Sequence, residues 1–406
     1  MLSVRSGHPF SRGVESSQLT MDFAEPDHIR QLRDTLERFV DKEMPRAAAA
    51  EWDKTNHFPR AVFDKLAGLG VLGLTVPEEF GGTGRDILAT MVVIEELSRR
   101  SLAVSVPYIM GACYAGMNLV ECATPEQKQA LLPRVVDGSL IFAYGWTEPD
   151  AGADLASVTT RAERAGDTVR INGAKRFCSG AAFADQIYTL VRSGPEGARY
   201  KNLSMVMVPP GSPGVTISMI ESMGMKGAAT TDVNFADVVV PFENVIGGES
   251  GWNNGWSMVV GSGLDVEKLE VAAIGIGVAR AALDDAWAYA FERQQFGKAI
   301  SQYQSIQHKL ADMKTQLHAA RLMLYHAAWL ANTHQRAGVE TSMAKLFATE
   351  MAKSVALECQ TIFGAYGYVK GFDAERYVRD ALLLPIIGGS SAIQRNNIFK
   401  WSGRGA

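Results

Sequence analysis

The spacing of apolar residues changes twice along this chain, from a helical period to a period of two and back again. From Asp27 to about Gly138 the pattern is helical. Ile29, Leu32, Leu36, Phe39 and Val40 form one stripe, which Pro45 ends. "DILATMVVIEELSRR" and "TPEQKQALLPRVVDG" read as two further helices. From Ser139 to about Asn253 alternation takes over. "LIFAYGW", "TVRING", "DQIYTLVRS", "NLSMVMVP", "GVTISMI" and "TDVNFADVVVP" are predicted strands between Gly/Pro turns. From Gly255 onward three long helical stretches return, suited to an antiparallel bundle. Helices, then strands, then helices is segregated α+β and not alternating βαβ. The predicted divisions are a leader or flexible tail over 1–20, an N-terminal helical domain over 21–138, a middle β domain over 139–253 and a C-terminal helical bundle over 254–406.

Several function classes fall away early. A net charge of −4 supplies no basic field for nucleic acid. The four cysteines, Cys113, Cys122, Cys178 and Cys359, form no CxxC pair, so they read as reduced thiols in a cytoplasmic setting. No apolar run approaches the roughly 20 residues of a membrane span. Residues 1–20 hold Arg5, Arg12 and a single acid, Glu15. That composition loosely suits a mitochondrial leader, which would place the protein in the matrix. The poor amphipathic pattern favours a plain tail, with Met21 opening the helical pattern. "EEFGGTGRD" lacks the GK[ST] of a phosphate loop. Gly275 and Gly277 lie inside a helical pattern, where they predict close helix packing. His318, His326 and His334 turn by about 80° at each step of a 3.6-residue helix and do not converge on a metal.

Near the C-terminus, "LPIIGGSSAIQR" reads as an apolar stretch, a Gly388-Gly389 pivot and a helix start that Ser390 or Ser391 can cap. Free N–H groups there suit an anion, yet no acid, histidine or cysteine lies between Asp380 and Arg395.

In the β block, "AYGWTEPDAGADLASVTTRAE" and "GDTVRINGAKRFCSGAAFAD" resemble the acyl-CoA dehydrogenase family. "LAGLGVLGLTVPEEFGGTG", "MGMKGAATTDVNFADVVVPFENVIG", "YAFERQQFGKAISQYQSIQHKLADM" and "FGAYGYVKGFDAERYVRDA" agree in order, so the resemblance spans about residues 21–402. It implies an N-terminal α domain, a middle β-barrel-like domain and a C-terminal four-helix bundle. It also implies FAD, an acyl-CoA thioester substrate, a homotetramer and an electron-transferring flavoprotein as acceptor. By resemblance Tyr144, Trp146 and Thr147 lie along the flavin, with Phe177 and Ser179 beside it. Arg293, Phe296 and Gln304 reach the cofactor of a neighbouring subunit. Ser390 lies near its phosphates or ribose, and Thr361 stands where many members carry Gln, with Gln360 one place earlier. Ala153 and Asp265 match substrate-lining positions, and Lys268 replaces the usual Arg.

Most of the family carries its proton-abstracting glutamate at the position of Gly388. The helical pattern offers a replacement. Leu264, Val271, Ile274 and Val278 form an apolar stripe, and Glu267 falls in its gap, three after Leu264 and four before Val271. Burial there raises a carboxyl toward the working pH and makes it a better base. Glu270 is a second acid that could face inward. The subset resembling isovaleryl-CoA and long-chain acyl-CoA dehydrogenases carries its base in the same context, here Leu264-Asp265-Val266-Glu267-Lys268. The expectation is dehydrogenation to a trans-2-enoyl-CoA, with Glu267 deprotonating and the Gly388 N–H polarising the thioester. The rivals are an oxidase or monooxygenase, or a desulfinase-like lyase, on the same fold. A non-enzymatic helical scaffold is a third.

Overall fold

The computed structural model describes residues 25–333 and 337–403. The tail over 1–20, Met21 and His334 lie outside the described residues. The N-terminal part contains α1 (Asp27–Glu43), α2 (Arg46–Thr55), α3 (Arg60–Ala67), α4 (Ile87–Ser98), α5 (Leu102–Tyr108), a π-helical turn (Ile109–Ala115), α6 (Gly116–Cys122) and α7 (Pro125–Val136). Pro45 stops α1 and starts α2 by taking its N-cap position. Thr124 and Gln127 close a reciprocal capping box at α7.

The stretch Leu102–Cys122 corrects two expectations. It is helical although no helical stripe marks it, because nearly every face is apolar and buried. By length and composition it could also cross a bilayer, contrary to the expectation that no run is long enough. It runs instead through the interior, and Pro107 precedes the widened π turn.

The middle part is a curled seven-stranded sheet: β1 (Phe142–Gly145), β2 (Arg161–Ala165), β3 (Thr168–Lys175), β4 (Gln186–Arg192), β5 (Leu203–Val208), β6 (Val215–Met219) and β7 (Thr231–Pro241). The strand order is β1-β4-β2-β3-β7-β6, with β5 branching off β4. β1 runs parallel to β4, which sets Tyr144 beside Tyr188. β2 is absent from the sequence expectations. "RAERA" buries only Ala162 and owes its extension to antiparallel pairing with β3. The segment between β6 and β7 ties the sheet to the helices. The Met225 N–H donates to Asp380 at 2.7 Å and the Gly227 N–H to Asn56 at 2.6 Å. Gly227 has φ +85°, and a Cβ there would lie 2.4 Å from that of Ala103.

After α8 (Gly248–Gly251) and α9 (Gly255–Val259) come α10 (Ser262–Glu292), a two-stranded hairpin of β8 (Gln294–Gln295) and β9 (Lys298–Ala299), α11 (Gln304–Asn332), α12 (Gly338–Phe363), α13 (Ala374–Leu383) and α14 (Ser391–Ser402). The two glycines of α10 do pack closely. A Cβ at Gly275 would lie 3.1 Å from the Ala348 carbonyl of α12, and one at Gly277 would lie 2.4 Å from the Glu95 carbonyl of α4. Glu95 and Glu96 are fully buried on α4 and are met by Arg33, Arg280 and Arg321, so α1, α4, α10 and α11 share one ionic cluster.

Candidate active site

Glu267 lies in the second turn of α10, on the stripe it shares with the buried Val271, Ile274 and Val278. Its side chain is half-buried, which keeps it reachable by a substrate. Burial pushes its pKa up to about 7, while Lys268 and Lys345 pull against that rise. Lys345 comes from α12 and is fully buried. Its ammonium donates to the Leu384 carbonyl at 2.9 Å. Burial lowers it to about 8, against the attraction of Glu267 and Glu350. The sequence did signal Lys345, since it sits on the buried α12 stripe of Thr341, Ala344, Ala348 and Ala352.

The Leu384 carbonyl begins the loop that carries Gly388. Both Gly388 (φ +58°) and Gly389 (φ +74°) are left-handed, a backbone region glycine enters without strain. A Cβ at Gly388 would lie 2.8 Å from Cγ2 of Val271, one helical turn beyond Glu267. The loop therefore faces the stripe that carries the acid. Gln394 braces it, donating to the carbonyls of Gly388 (3.0 Å) and Gly389 (2.9 Å). Ser390 is the helix cap and accepts from the Ile393 N–H, while the Ser391 hydroxyl donates to Glu350 at 2.7 Å. Only part of the apolar stretch before the loop is buried. Leu384 is fully covered, whereas Ile386 is exposed.

Tyr144 and Trp146 form an aromatic wall with ring centroids 5.4 Å apart. The Tyr144 hydroxyl donates to the Met110 carbonyl at 3.0 Å, which joins this wall to the π turn. Thr147 follows, and its carbonyl accepts the Arg176 N–H at 2.8 Å. Phe177 is a large aromatic residue left 57% exposed in a left-handed backbone (φ +61°), with the Arg176 guanidinium 5.2 Å from its ring centroid. Ser179 is buried and its hydroxyl is 3.5 Å from that of Thr230. Aromatic faces and hydroxyls in this order fit the isoalloxazine edge of a flavin. Beneath them lies an ion pair that sequence reasoning missed. Glu148 and Lys175 are buried and meet at 2.8 Å. Glu148 also accepts the N–H groups of Thr159 and Thr160, and Lys175 donates to the Trp146 carbonyl. Lys175 and these donors outweigh burial and hold Glu148 down to about 2. Burial holds Lys175 down to about 8.

Other predicted residues lie elsewhere. Arg293 and Phe296 are at the far end of α10, roughly 40 Å from Glu267 by helical rise. Phe296 is 93% exposed at the β8–β9 tip, and the Arg293 guanidinium lies over Tyr366. Gln304 is exposed at the start of α11, and Thr361 is exposed with its hydroxyl donating to the Leu357 carbonyl. Ala153 is exposed in the loop after Trp146. Asp265 and Lys268 bond to each other at 2.8 Å. The Lys268 ammonium lies over Trp401, and the Thr341 hydroxyl donates to Asp265. That pair faces α12 and α14.

Comparison with known proteins gives the family over most of the chain. Residues 26–139, 143–238 and 253–403 match the acyl-CoA dehydrogenase N-terminal, middle and C-terminal domains. An acyl-CoA dehydrogenase of Bacillus subtilis is 35% identical over 91% of this chain and 96% of its own. The CarC subunit of the caffeyl-CoA reductase–Etf complex of Acetobacterium woodii is 36% identical over 92% of this chain and 97% of its own. The solved butyryl-CoA dehydrogenase of Megasphaera elsdenii superposes with a TM-score of 0.89 at 30% identity, covering 95% of this chain and 100% of that one. With three domain matches in order and a shared fold, this chain belongs to the acyl-CoA dehydrogenase family, whose members are FAD-dependent oxidoreductases.

Proposed function

We propose that the chain dehydrogenates an acyl-CoA thioester to the trans-2-enoyl-CoA, with Glu267 as the base that takes the α-proton. One observation carries this reading: a half-buried carboxyl held near pKa 7 stands one turn from the residue that the Gly388 loop faces. A base works best when its pKa lies near the operating pH. Among the described residues the Gly388 N–H has no acceptor, so it is free to donate to the thioester carbonyl. Stabilising the developing enolate oxygen in this way contributes about 3–4 kcal/mol in comparable oxyanion sites. FAD, when bound, supplies the acceptor for the β-hydride. Lys345 positions both partners, anchoring the loop through the Leu384 carbonyl and drawing the Glu267 carboxyl toward its charged form.

Glu267→Gln should retain FAD and acyl-CoA binding and lose about 10²–10⁴-fold in the rate of flavin reduction. A variant with more than a tenth of wild-type activity would remove Glu267 from the role.

The far end of α10 supports a homo-oligomer, with the tetramer of the family resemblance as the expected form. Arg293 stands roughly 40 Å of helical rise from the proposed base of its own chain, and Phe296 and Gln304 follow it in sequence. Phe291, Phe296 and Tyr368 leave an apolar surface suited to a second copy. An electron-transferring flavoprotein is the proposed acceptor, in keeping with the relative that is named as a subunit of an Etf complex.

A further inference from the structure

The stretch between β6 and β7 has an unusual backbone. At alternate positions Met225 (φ +54°), Gly227 (φ +85°) and Ala229 (φ +50°) are left-handed, two of them with side chains. Such residues persist only where their surroundings over-determine them. One end of the stretch is gripped by α13. The Met225 N–H donates to the buried Asp380 at 2.7 Å, and the Arg379 guanidinium donates to the Met223 carbonyl at 3.0 Å. Arg379 is itself fixed by Asp53 of α2 and by Glu375. The approach is close: a Cβ at Gly224 would lie 2.5 Å from the Arg379 carbonyl oxygen and 2.9 Å from Oδ1 of Asp380. α2 adds a second clamp, since Asn56 accepts the Gly227 N–H.

The other end holds the loop of Phe177 and Ser179. The Ala228 carbonyl accepts the Gly180 N–H at 2.7 Å, and the Thr231 carbonyl accepts the Cys178 N–H at 2.8 Å. The Thr231 hydroxyl donates back to the Cys178 carbonyl at 2.7 Å. Only Lys226 and Gly227 separate Met225 from Ala228, so the grip at Asp380 reaches this loop through a short, restricted link. In the other direction α13 leads to the substrate side. Asp380 lies four residues, about 6 Å of helical rise, before Leu384. Lys345 holds the Leu384 carbonyl, where the Gly388 loop begins. One short helix thus carries the Gly388 loop at its end and grips the stretch that holds the Phe177 loop from its side.

We propose that Asp380 is a positioning residue: through the Met225 N–H it sets the register between the Phe177–Gly180 loop and the Gly388 loop, and so the placement of the hydride acceptor against the thioester. The inference rests on the reading above, in which the Gly388 N–H polarises that thioester. Reaction between two held partners depends steeply on their placement, and an error of about 1 Å can cost about 10²-fold in rate. Binding of either partner alone does not depend on their mutual register.

The test reads the register directly. In FAD-loaded protein carrying Cys122→Ser, which removes the one free cysteine that is not buried among the described residues, spin labels are placed at Ala182→Cys and Ile386→Cys, both exposed. Pulsed electron resonance measures the distance between them. Asp380→Ala should shift or broaden that distance by about 1 Å or more. In the unlabelled protein, anaerobic flavin bleaching is followed with butanoyl-, octanoyl- and 3-methylbutanoyl-CoA. Asp380→Ala should slow it 10-fold or more per bound flavin, while acyl-CoA dissociation constants change less than threefold. Asp380→Asn, whose amide oxygen still accepts from Met225, should recover both the distance and most of the rate. Asp380→Leu, which fills the space without an acceptor, repeats the loss if the alanine variant does not fold. An unchanged distance, a lower melting temperature with an unchanged bleaching rate, or no recovery in Asp380→Asn would each overturn the proposal. Refusal of both Asp380→Ala and Asp380→Leu to fold would also overturn it, making the bond a requirement of the fold alone. If none of the three thioesters bleaches the parent protein, the dehydrogenase reading is what suffers, and the label distances still decide the role of Asp380.

Discussion

A carboxyl with a pKa near 7 makes the rate of flavin reduction depend on pH in a fixed direction. Glu267 acts in its charged form, so kcat/KM should climb with pH through about 7 and level off above it. Lys345 favours that charged form. Lys345→Met should move the rise to higher pH and leave the plateau reachable, as read from rates measured between pH 5.5 and 9, roughly the span around the cited value. An unmoved midpoint would show that Lys345 acts on the loop alone. The second residue-scale prediction concerns the glycine. Moving the acid back, as Glu267→Gly with Gly388→Glu, places a side chain on a left-handed backbone at about 1–3 kcal/mol of strain. It also drives Cβ to 2.8 Å from Val271. The double variant should therefore recover little single-turnover flavin reduction, and adding Val271→Ala should recover more. If trimming Val271 adds nothing in a protein that still holds FAD, the 388 loop does not face the α-carbon.

At the scale of elements, the aromatic wall of Tyr144 and Trp146 is held by what lies beneath it. Lys175→Met leaves Glu148 buried without its cation, which should destabilise the protein by about 3–5 kcal/mol. The urea midpoint should fall and FAD should be released below it. Glu148→Gln added to Lys175→Met should recover part of the loss, since the stranded charge is then gone. Elements with a strong period could be read from sequence, as α10, α11, α12 and six of the seven strands show. β2 was not legible, because its extended form comes from the neighbouring β3 and not from its own side chains. Leu102–Cys122 was hidden for the opposite reason, being apolar on every side. The site divided along the same line. Glu267 interrupts a stripe and can be found by counting. Its meeting with Lys345 and with the Gly388 loop depends on the packing of α10, α12 and the segment after α13, which no local pattern encodes. The Glu148–Lys175 pair sat in plain view inside two quoted motifs, but nothing in their spacing says that the two side chains meet.

For the whole molecule, the proposed homo-oligomer would have one cofactor site draw on two chains, with Glu267 and Phe296 of one chain serving different sites. Phe296→Asp should weaken self-association and FAD retention together while leaving the Glu267 end of the same chain folded. Sedimentation equilibrium and the flavin content after gel filtration measure the two effects. A monomer that keeps its FAD would show that a single chain holds the entire cofactor. Because α10 is one uninterrupted 31-residue helix, it also acts as a gauge between its two ends. Each residue added within it would swing the far end by about 100° and push it outward by about 1.5 Å. A lineage in which both ends serve a site can exchange side chains along this rod freely, but a single-codon insertion or deletion in its middle would misaim one catalytic centre and its neighbour's at once.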